Sequence, residues 1–212
     1  MRKPASMKGL EELGRARLSE NFFLRDFLHS EIAAFYGLRN IPDDPDLAIA
    51  AGRRLCEDLL EPLQATFGRL AIRSAYRSPQ VNAFGNEHGL NCASNEASAA
   101  GHIWDMRDAE GCMGATACVV VPWVADRFRE EGDWRRLAWW IHDHLPYASL
   151  EFFPKLWAVN ITWHERPRRI ISSFATPRGI LTRPGMANHE GSHAAHYAGF
   201  PPPAAAGRAA AP

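Results

Sequence analysis

Charge of one sign, long apolar runs and paired cysteines are all scarce in this chain. Lys plus Arg number 24 and Asp plus Glu 24, for a formal net charge of +0. Holding nucleic acid by bulk charge needs a basic excess or stripe, so no nucleic-acid partner is expected. No stretch approaches the ~18 consecutive apolar residues of a membrane-spanning helix, so no membrane span is expected either. Residues 1–17 are basic and polar without an apolar centre, unlike a secretory signal. The expectation is cytoplasmic synthesis without a signal peptide. Cys56, Cys92, Cys112 and Cys118 show no C-x-x-C spacing. That argues against a zinc ribbon and for reduced thiols, while spacing leaves open a pairing of Cys92 with Cys112 or Cys118. A phosphate loop and a G-x-S-x-G nucleophile elbow are also missing.

What is present is an ordinary globular composition, 46% hydrophobic and 23% charged, over a length suited to one domain with extensions. Residues 1–18 form a polar lead-in and 19–174 carry the strong periodicity. From 175 to 212 Pro, Ala and Gly take over, ending in PPPAAAGRAAAP, which reads as a loose tail. Phe23, Phe27, Leu28, Ile32 and Phe35 predict a helix over 24–36, closed by Gly37. A second helix over 45–67 starts at Pro45 and ends at Gly68, with Pro62 predicting a kink or a shortening. LAIRS reads as a strand, AYRSPQVN as a turn into a brief helix, and 84–101 as an irregular loop. HIWDM alternates like a strand, 114–131 reads as helical despite Val119–Val121 and Pro122, and DWRRLAWWIHDHL as another helix. SLEFF, WAVNITW and RIISSF look like closing strands, giving an α+β fold class.

LSENFFLRDFLHSE, AIRSAYRSPQVN, GHIWD, SLEF and WAVNI, spread over roughly 18–174, together resemble the zinc D-Ala-D-Ala carboxypeptidase family and its phage cell-wall endopeptidase relatives. YRSP followed by Asn82 is the most specific piece, and LSENF-x3-DFL supports it independently. The resemblance implies the Hedgehog/DD-peptidase fold, a small, mostly antiparallel sheet packed with helices. It also implies a zinc ion held by two histidines and an aspartate, with a carboxylate as general base. Three protein ligands would leave one position open for a water whose pKa falls to about 7 on the metal.

Matched position by position, Arg77 corresponds to the arginine that grips a substrate carboxylate or polarises the scissile carbonyl, with Tyr76 and Ser78 beside it. Asp105 corresponds to the aspartate ligand, four residues after Gly101, and Glu151 to the catalytic carboxylate. The two histidines fall on Ser98 and Asn160, and the acidic residue downstream of the second falls on Thr162. Serine and asparagine are weak, neutral zinc ligands. The resemblance therefore implies a degenerate member with its zinc site impaired or lost: zinc is more expected absent than present. The expected function is a binding pseudoenzyme for a peptidoglycan peptide or a protein partner, with Tyr76, Arg77, Ser78, Ser98 and Asn160 as contacts. The alternatives are an active zinc peptidase with replacement ligands and a structural component of a phage or phage-derived particle, and the resemblance implies release by lysis or as a virion component.

Replacement ligands are available by residue type. His102 pairs by proximity with Asp105, although residues three apart on a strand face opposite ways, and a buried core histidine is the competing reading. His88 and Cys92 sit in the loop expected to overhang the site, and His164 follows Asn160 on the same strand face. His142 and His144 are expected on a solvated helix face with Asp143. His189, His193 and His196 would share a face only if 189–196 were helical, which Gly191 opposes. The tryptophans read mainly as core, with a subset available to a groove, and HERPRR as a solvated basic turn or an acidic-polymer contact.

Overall fold

The computed structural model describes residues 1–128 and 132–204. Helix α1 (Met7–Gly14) starts where the Ser6 hydroxyl accepts from Gly9 N. The helix expected over 24–36 is instead two pieces. The Asp26 carboxylate accepts from Phe23 N at 2.8 Å and closes a 3-10 turn over Leu24–Phe27. Ser30 then caps a separate helix, α2 (Glu31–Tyr36), by accepting from Ala33 N, and Gly37 ends it at φ +66°. Two short polar side chains competing for backbone N–H groups thus outweigh the apolar periodicity.

The long second helix forms, with an unforeseen device at its proline. Helix α3 (Pro45–Leu55) passes through a wide π turn, Cys56–Leu60, into α4 (Glu61–Phe67) without leaving right-handed helical backbone angles. Pro62 has no N–H and its ring crowds the carbonyl four residues back, so the wider turn makes room and the helix neither stops nor shortens. Gly68 at φ +82° then turns the chain into strand β1 (Ala71–Ser74).

Helix α5 (Pro79–Glu87) and the single-turn α6 (Asn95–Ser98) follow, both within or beside the stretch expected as an irregular loop. HIWDM is a set of turns, not a strand. Gly101 N and Ile103 N both donate to Ser98 O, which coils the segment, and its extended content is one isolated bridge between Ala99 and Ile103. Trp104 is fully buried there and its indole N–H reaches Thr116 O at 3.1 Å.

The expected helix over 114–131 is a strand and then a short helix: β2 (Gly114–Val120), buried along its whole length, and α7 (Pro122–Arg127). A continuously buried strand shows no alternation, and the alanines of GATACVV imitate a helix; β-branched Thr116, Val119 and Val120 fit the pleat. Residues 129–131 of that expectation lie outside the described residues. Helix α8 (Arg135–His144) forms as expected, followed by β3 (Ser149–Phe152), β4 (Val159–His164) and β5 (Ile170–Ser173).

The zone expected as a loose tail is packed as far as 204. It adds β6 (Gly179–Thr182) to the sheet, and residues beyond it run back over α8. Phe200 packs among Phe67, Trp123 and Phe128, while Trp140 Nε1 donates to Pro201 O at 3.0 Å. Proline-rich backbone lacks donors but keeps its carbonyls, and α8 supplies the N–H groups they need. Residues 205–212 lie outside the described residues.

The fold is α+β. Among the described residues six strands form one sheet in the order β1-β2-β4-β3-β5-β6, with β3 and β5 parallel and every other neighbour antiparallel. Ala115, Ala117, Val119, Val159, Ile161, Trp163, Leu150, Phe152 and Ile171 join the main hydrophobic core with α3, the π turn and α4. No described helix is long and apolar enough to cross a membrane. All four cysteines are free, so neither pairing left open for Cys92 is formed.

The start of β2 lies against the 98–101 turn, and only glycine permits that approach. A Cβ on Gly114 would stand 2.0 Å from Ala100 O and 2.7 Å from His164 Cδ2. Gly114→Ala is expected to lower unfolding free energy by at least about 2 kcal/mol, since backbone must move to admit the methyl group. A urea denaturation midpoint equal to that of the unaltered protein would contradict this close packing.

Candidate functional site: a polar cleft on the open face of the sheet

The face of the sheet opposite the core is polar. Antiparallel register sets Thr116 against Thr162 and Cys118 against Asn160; Ser149 faces Thr162, and Glu151 faces Asn160. Parallel pairing places Ser172 beside Glu151. Because side chains alternate along a strand, these residues share one face. They floor a cleft of about 1200 Å³ whose walls come from α2, the turn after β1, the 90–93 loop and the 98–102 turn.

Two hydrogen bonds organise the floor. The hydroxyls of Thr116 and Thr162 lie 2.8 Å apart, and Asn160 Nδ2 donates to Glu151 Oε2 at 3.2 Å. Burial raises the Glu151 carboxyl above its ordinary range, with the Asn160 bond opposing it. Arg73, Glu31 and Glu151 all act electrostatically on the buried Cys118 thiol, which marks a mixed-charge end of the cleft. Phe153 and Phe174, stacked with centroids 5.7 Å apart, line the same cleft, and Phe174 is exposed.

The YRS turn forms the opposite wall and is clamped from outside. Asn40 Nδ2 donates to Leu28 O and Tyr76 O, while its Oδ1 accepts from Ser78 N at 2.7 Å. Arg77 N donates to His102 O at 2.8 Å, tying this turn to the next wall. The guanidinium lines the cleft and its Nη1 donates to Cys92 Sγ at 2.6 Å. Cys92 is seated by a glycine: a Cβ on Gly85 would stand 2.5 Å from its sulfur. Asn82, fully buried, donates to Ala93 O and Asn95 Oδ1 and so fixes the loop that carries Cys92.

His102 also lines the cleft. Its Nδ1 faces Ala75 O at 2.7 Å and must donate to it, which leaves Nε2 as the bare acceptor. Burial, reinforced by the Arg77 charge, lowers the imidazole to about 4, so it is neutral at ordinary pH. The cleft thus offers the Arg73 and Arg77 guanidinium groups, a neutral imidazole acceptor at His102, hydroxyls, an amide and the Glu31 and Glu151 carboxyl groups.

Arg77, Ser98, His102, Glu151 and Asn160 therefore line one cleft, with Tyr76 at its wall. Two other residues singled out in the sequence do not. The Ser78 hydroxyl accepts from Val81 N as the cap of α5 and donates to Arg39 O, and it is buried away from the lining. Asp105 is likewise outside the lining. Its Oδ2 accepts from Asp43 N at 2.6 Å and Asp44 N at 3.3 Å, and its Oδ1 from Tyr76 OH at 3.0 Å. It pins the start of α3, and burial of Tyr76 beside this carboxylate pushes the phenol well above its usual range.

The zinc ion implied by the resemblance does not fit this donor set. Ser98 and Asn160 present neutral groups, Asp105 has both oxygens engaged elsewhere, and His102 alone supplies an imidazole lone pair. Among the described residues no group of three or more His, Cys, Asp or Glu is placed to hold a metal ion. The replacement candidates are dispersed. His88 stacks on Phe84 with centroids 3.9 Å apart, and His164 Nε2 bonds Asp108 Oδ2 at 3.1 Å. His142 is buried, not on a solvated face, and residues 189–196 do not form the helix that would align His189, His193 and His196.

Thr116, Cys118, Ser149, Ser172, Arg73 and Asn40 were not singled out by sequence. Reading 114–120 as a strand would have placed Thr116 and Cys118 on one face opposite Ala115 and Ala117. No signal in the sequence marks Asn40, because its role depends on three backbone groups far away in the chain.

Comparison with protein-family models, with curated proteins and with solved structures finds no match to this chain.

A raised Glu151 carboxyl has a consequence for stability. The folded chain holds that proton more tightly than the unfolded one, so its contribution is full below the unfolded carboxyl value and is lost as pH rises through the folded one. Glu151→Gln keeps the shape and removes the charge. It is expected to raise the denaturation midpoint at neutral pH and to leave it unchanged near pH ~3.5, below the ordinary glutamate value. Equal midpoints at both pH values would place Glu151 in a fully hydrated setting.

Proposed function

We propose that this chain is a peptide-binding domain related to the zinc D-Ala-D-Ala carboxypeptidases, directed at cell-wall peptides and lacking their metal chemistry. One observation carries the reading. Residues chosen from the sequence resemblance, Arg77, Ser98, Glu151 and Asn160, line a single cleft, Arg77 and Ser98 being brought from far along the chain to the paired strands that carry Glu151 and Asn160. The α+β layout with a mostly antiparallel sheet is compatible with the Hedgehog/DD-peptidase arrangement, which is part of the same proposal.

The chemistry of the cleft favours binding over cleavage. At the two histidine positions stand a serine and an asparagine, and the Asn160 amide is spent on Glu151. A carboxylate serving as general base must face a water activated for attack; here it has a hydrogen-bonded amide beside it. Arg77 is the one guanidinium placed by the YRS turn, suited to a terminal carboxylate of the ligand. His102 Nε2 accepts from a ligand N–H, and the Thr116, Thr162 and Ser149 hydroxyls pair with peptide groups along the floor.

The test is calorimetric titration with a stem peptide ending in D-Ala-D-Ala, as the free acid and as the C-terminal amide. The free acid is expected to bind more tightly. Arg77→Ala is expected to cost about 1.5–3 kcal/mol against the acid, the range for a hydrogen bond to a charged group, and much less against the amide. An affinity for the free acid unchanged by Arg77→Ala would remove Arg77 from the site. Elemental analysis after zinc loading and dialysis, with a peptide-hydrolysis assay, separates the alternative: stoichiometric zinc with cleavage would replace the binding reading by an active peptidase.

A further inference from the structure

Along the strands the cleft floor changes character. At the level where Thr116 meets Thr162 and Ser149, the 98–102 turn is joined to the sheet, Thr116 N donating to Gly101 O at 3.0 Å. Arg77 is tied to that turn through His102 O, so the guanidinium of the YRS wall belongs to this end. Cys118, Asn160, Glu151 and Ser172 form the middle row. Beyond it the face is apolar. Val120, Ala125 and Ala158 cluster with Cys118, and Phe153 packs on them. The lining ends there in two rings, Phe153 and Phe174.

The backbone fixes this pair. Strands β3 and β5 run parallel with Glu151 against Ser172 and Phe152 against Ser173, and Phe174 N extends the pairing by donating to Phe152 O at 2.8 Å. Phe153 and Phe174 stand two residues past Glu151 and Ser172, so alternation turns them to the cleft side of the sheet. The buried Ser173 hydroxyl accepts from Ala175 N at 2.9 Å and so sets the bend that presents Phe174. The two rings lie 5.7 Å apart with planes 20° from parallel, and Phe174 remains 54% exposed. An ordered aromatic face thus opens into the cleft, bordered one row away by the Glu151 carboxyl and the Ser172 hydroxyl.

We propose that Phe153 and Phe174 form a saccharide platform, which takes the amino sugar carried at the amino end of a cell-wall peptide. The identity of the ligand rests on the peptide reading above; the platform itself rests on the ring pair. A free carboxylate held by Arg77 gives the peptide a direction, with its amino end running toward the rings. From Ser149 to Phe153 the floor advances by four positions, about 13 Å at ~3.3 Å each, which an extended peptide covers in about four residues. The side chains of such peptides are small or charged, and none offers a broad C–H surface to two rings. The amino sugar joined to their amino end does, since its ring has an apolar C–H face and a polar rim of hydroxyl and acetamido groups. With that face on Phe174, the rim meets Glu151 and Ser172, so apolar area is buried and no polar group is stranded.

Calorimetric titration of the full chain compares the stem peptide ending in D-Ala-D-Ala with the same peptide carrying N-acetylmuramic acid at its amino end. The sugar is expected to tighten binding by about tenfold. Phe174→Ala is expected to remove most of that gain and to cost the bare peptide much less, while Phe174→Trp is expected to keep it. Equal affinity of the unaltered chain for the two ligands overturns the platform. So does a Phe174→Ala loss of the same factor for both, which would assign the rings to a side chain of the peptide. A second arm separates the platform from the peptide reading. N-acetylmuramic acid with its carboxyl capped as an amide, which leaves no carboxylate for Arg77, is titrated into the chain bearing isotope-labelled phenylalanine. The ring signals of Phe153 and Phe174 are expected to shift. Shifts without any affinity for the bare peptide refute the peptide reading and keep the platform. Ring signals that stay in place with both the capped sugar and the sugar-bearing peptide overturn the platform, whether or not the bare peptide binds.

Discussion

The pairing of β2 with β4 is the constraint on which the rest depends. Six consecutive residue pairs, from Gly114 against His164 to Val119 against Val159, lock the two strands at the centre of the sheet. That register decides which side chains go down to the core and which go up to the cleft. A slip of one residue would turn one strand over against the other, burying either Thr116 and Cys118 or Asn160 and Thr162 against the core and turning the apolar residues of that strand into the cleft. The buried polar groups would then lack partners at roughly 1–3 kcal/mol each, so the register is strongly specified by cost as well as by contact. Gly114 begins the pairing where the 98–101 turn presses on the strand, so the same close contact aligns the register and sets the Ser98–His102 wall above it.

Around that floor the walls are positioned by residues outside the cleft lining. Asn40 holds Tyr76 O and Ser78 N, Ser78 caps α5, Asn82 holds the 93–95 loop, and Asp105 ties Tyr76 to the start of α3. Each is a short polar side chain satisfying backbone or phenol groups that would otherwise be buried unpaired. The YRSP…N motif is thus mostly architecture. One of its residues, Arg77, presents chemistry to the cleft; the rest hold Arg77 in place. The same distinction explains Asp105. A carboxylate suited by type to a metal is committed to two backbone N–H groups and a phenol, and a ligand role would require giving up the anchor of α3.

Legibility in the sequence followed the kind of signal each element carries. Strands β1, β3, β4 and β5 and helix α8 are visible because their apolar residues alternate or recur with a clear period. Strand β2 is not, because it is buried on both faces and rich in alanine, and burial without alternation erases the period that would identify it. The break between Phe27 and α2 is encoded by Asp26 and Ser30, whose side chains take over backbone donors; an apolar wheel cannot register that. The packed segment after β6 is the plainest failure of composition: its anchors are single residues, His189, His193, Tyr197 and Phe200, spaced through Pro, Ala and Gly, and average composition hides them.

The candidate site was legible in part and for a definite reason. Arg77, Ser98 with His102 on one turn, Glu151 and Asn160 come from four segments, and matching a motif to each segment needs no knowledge of their mutual distances. What a motif cannot convey is competition for a side chain. Asp105 and Ser78 have the residue types that the pattern asks for, yet nearby backbone donors and acceptors claim both. Ser98 and Asn160 show the converse: both line the cleft, as the motif places them, and offer it neutral groups. The cleft is lined by two guanidinium groups, Arg73 and Arg77, by the His29 and His102 imidazoles, by the Glu31 and Glu151 carboxyl groups and by a row of hydroxyls. Under the proposed function, the loss of Arg77 weighs more than the loss of any single hydroxyl, because each neutral contact carries only about 1 kcal/mol against water.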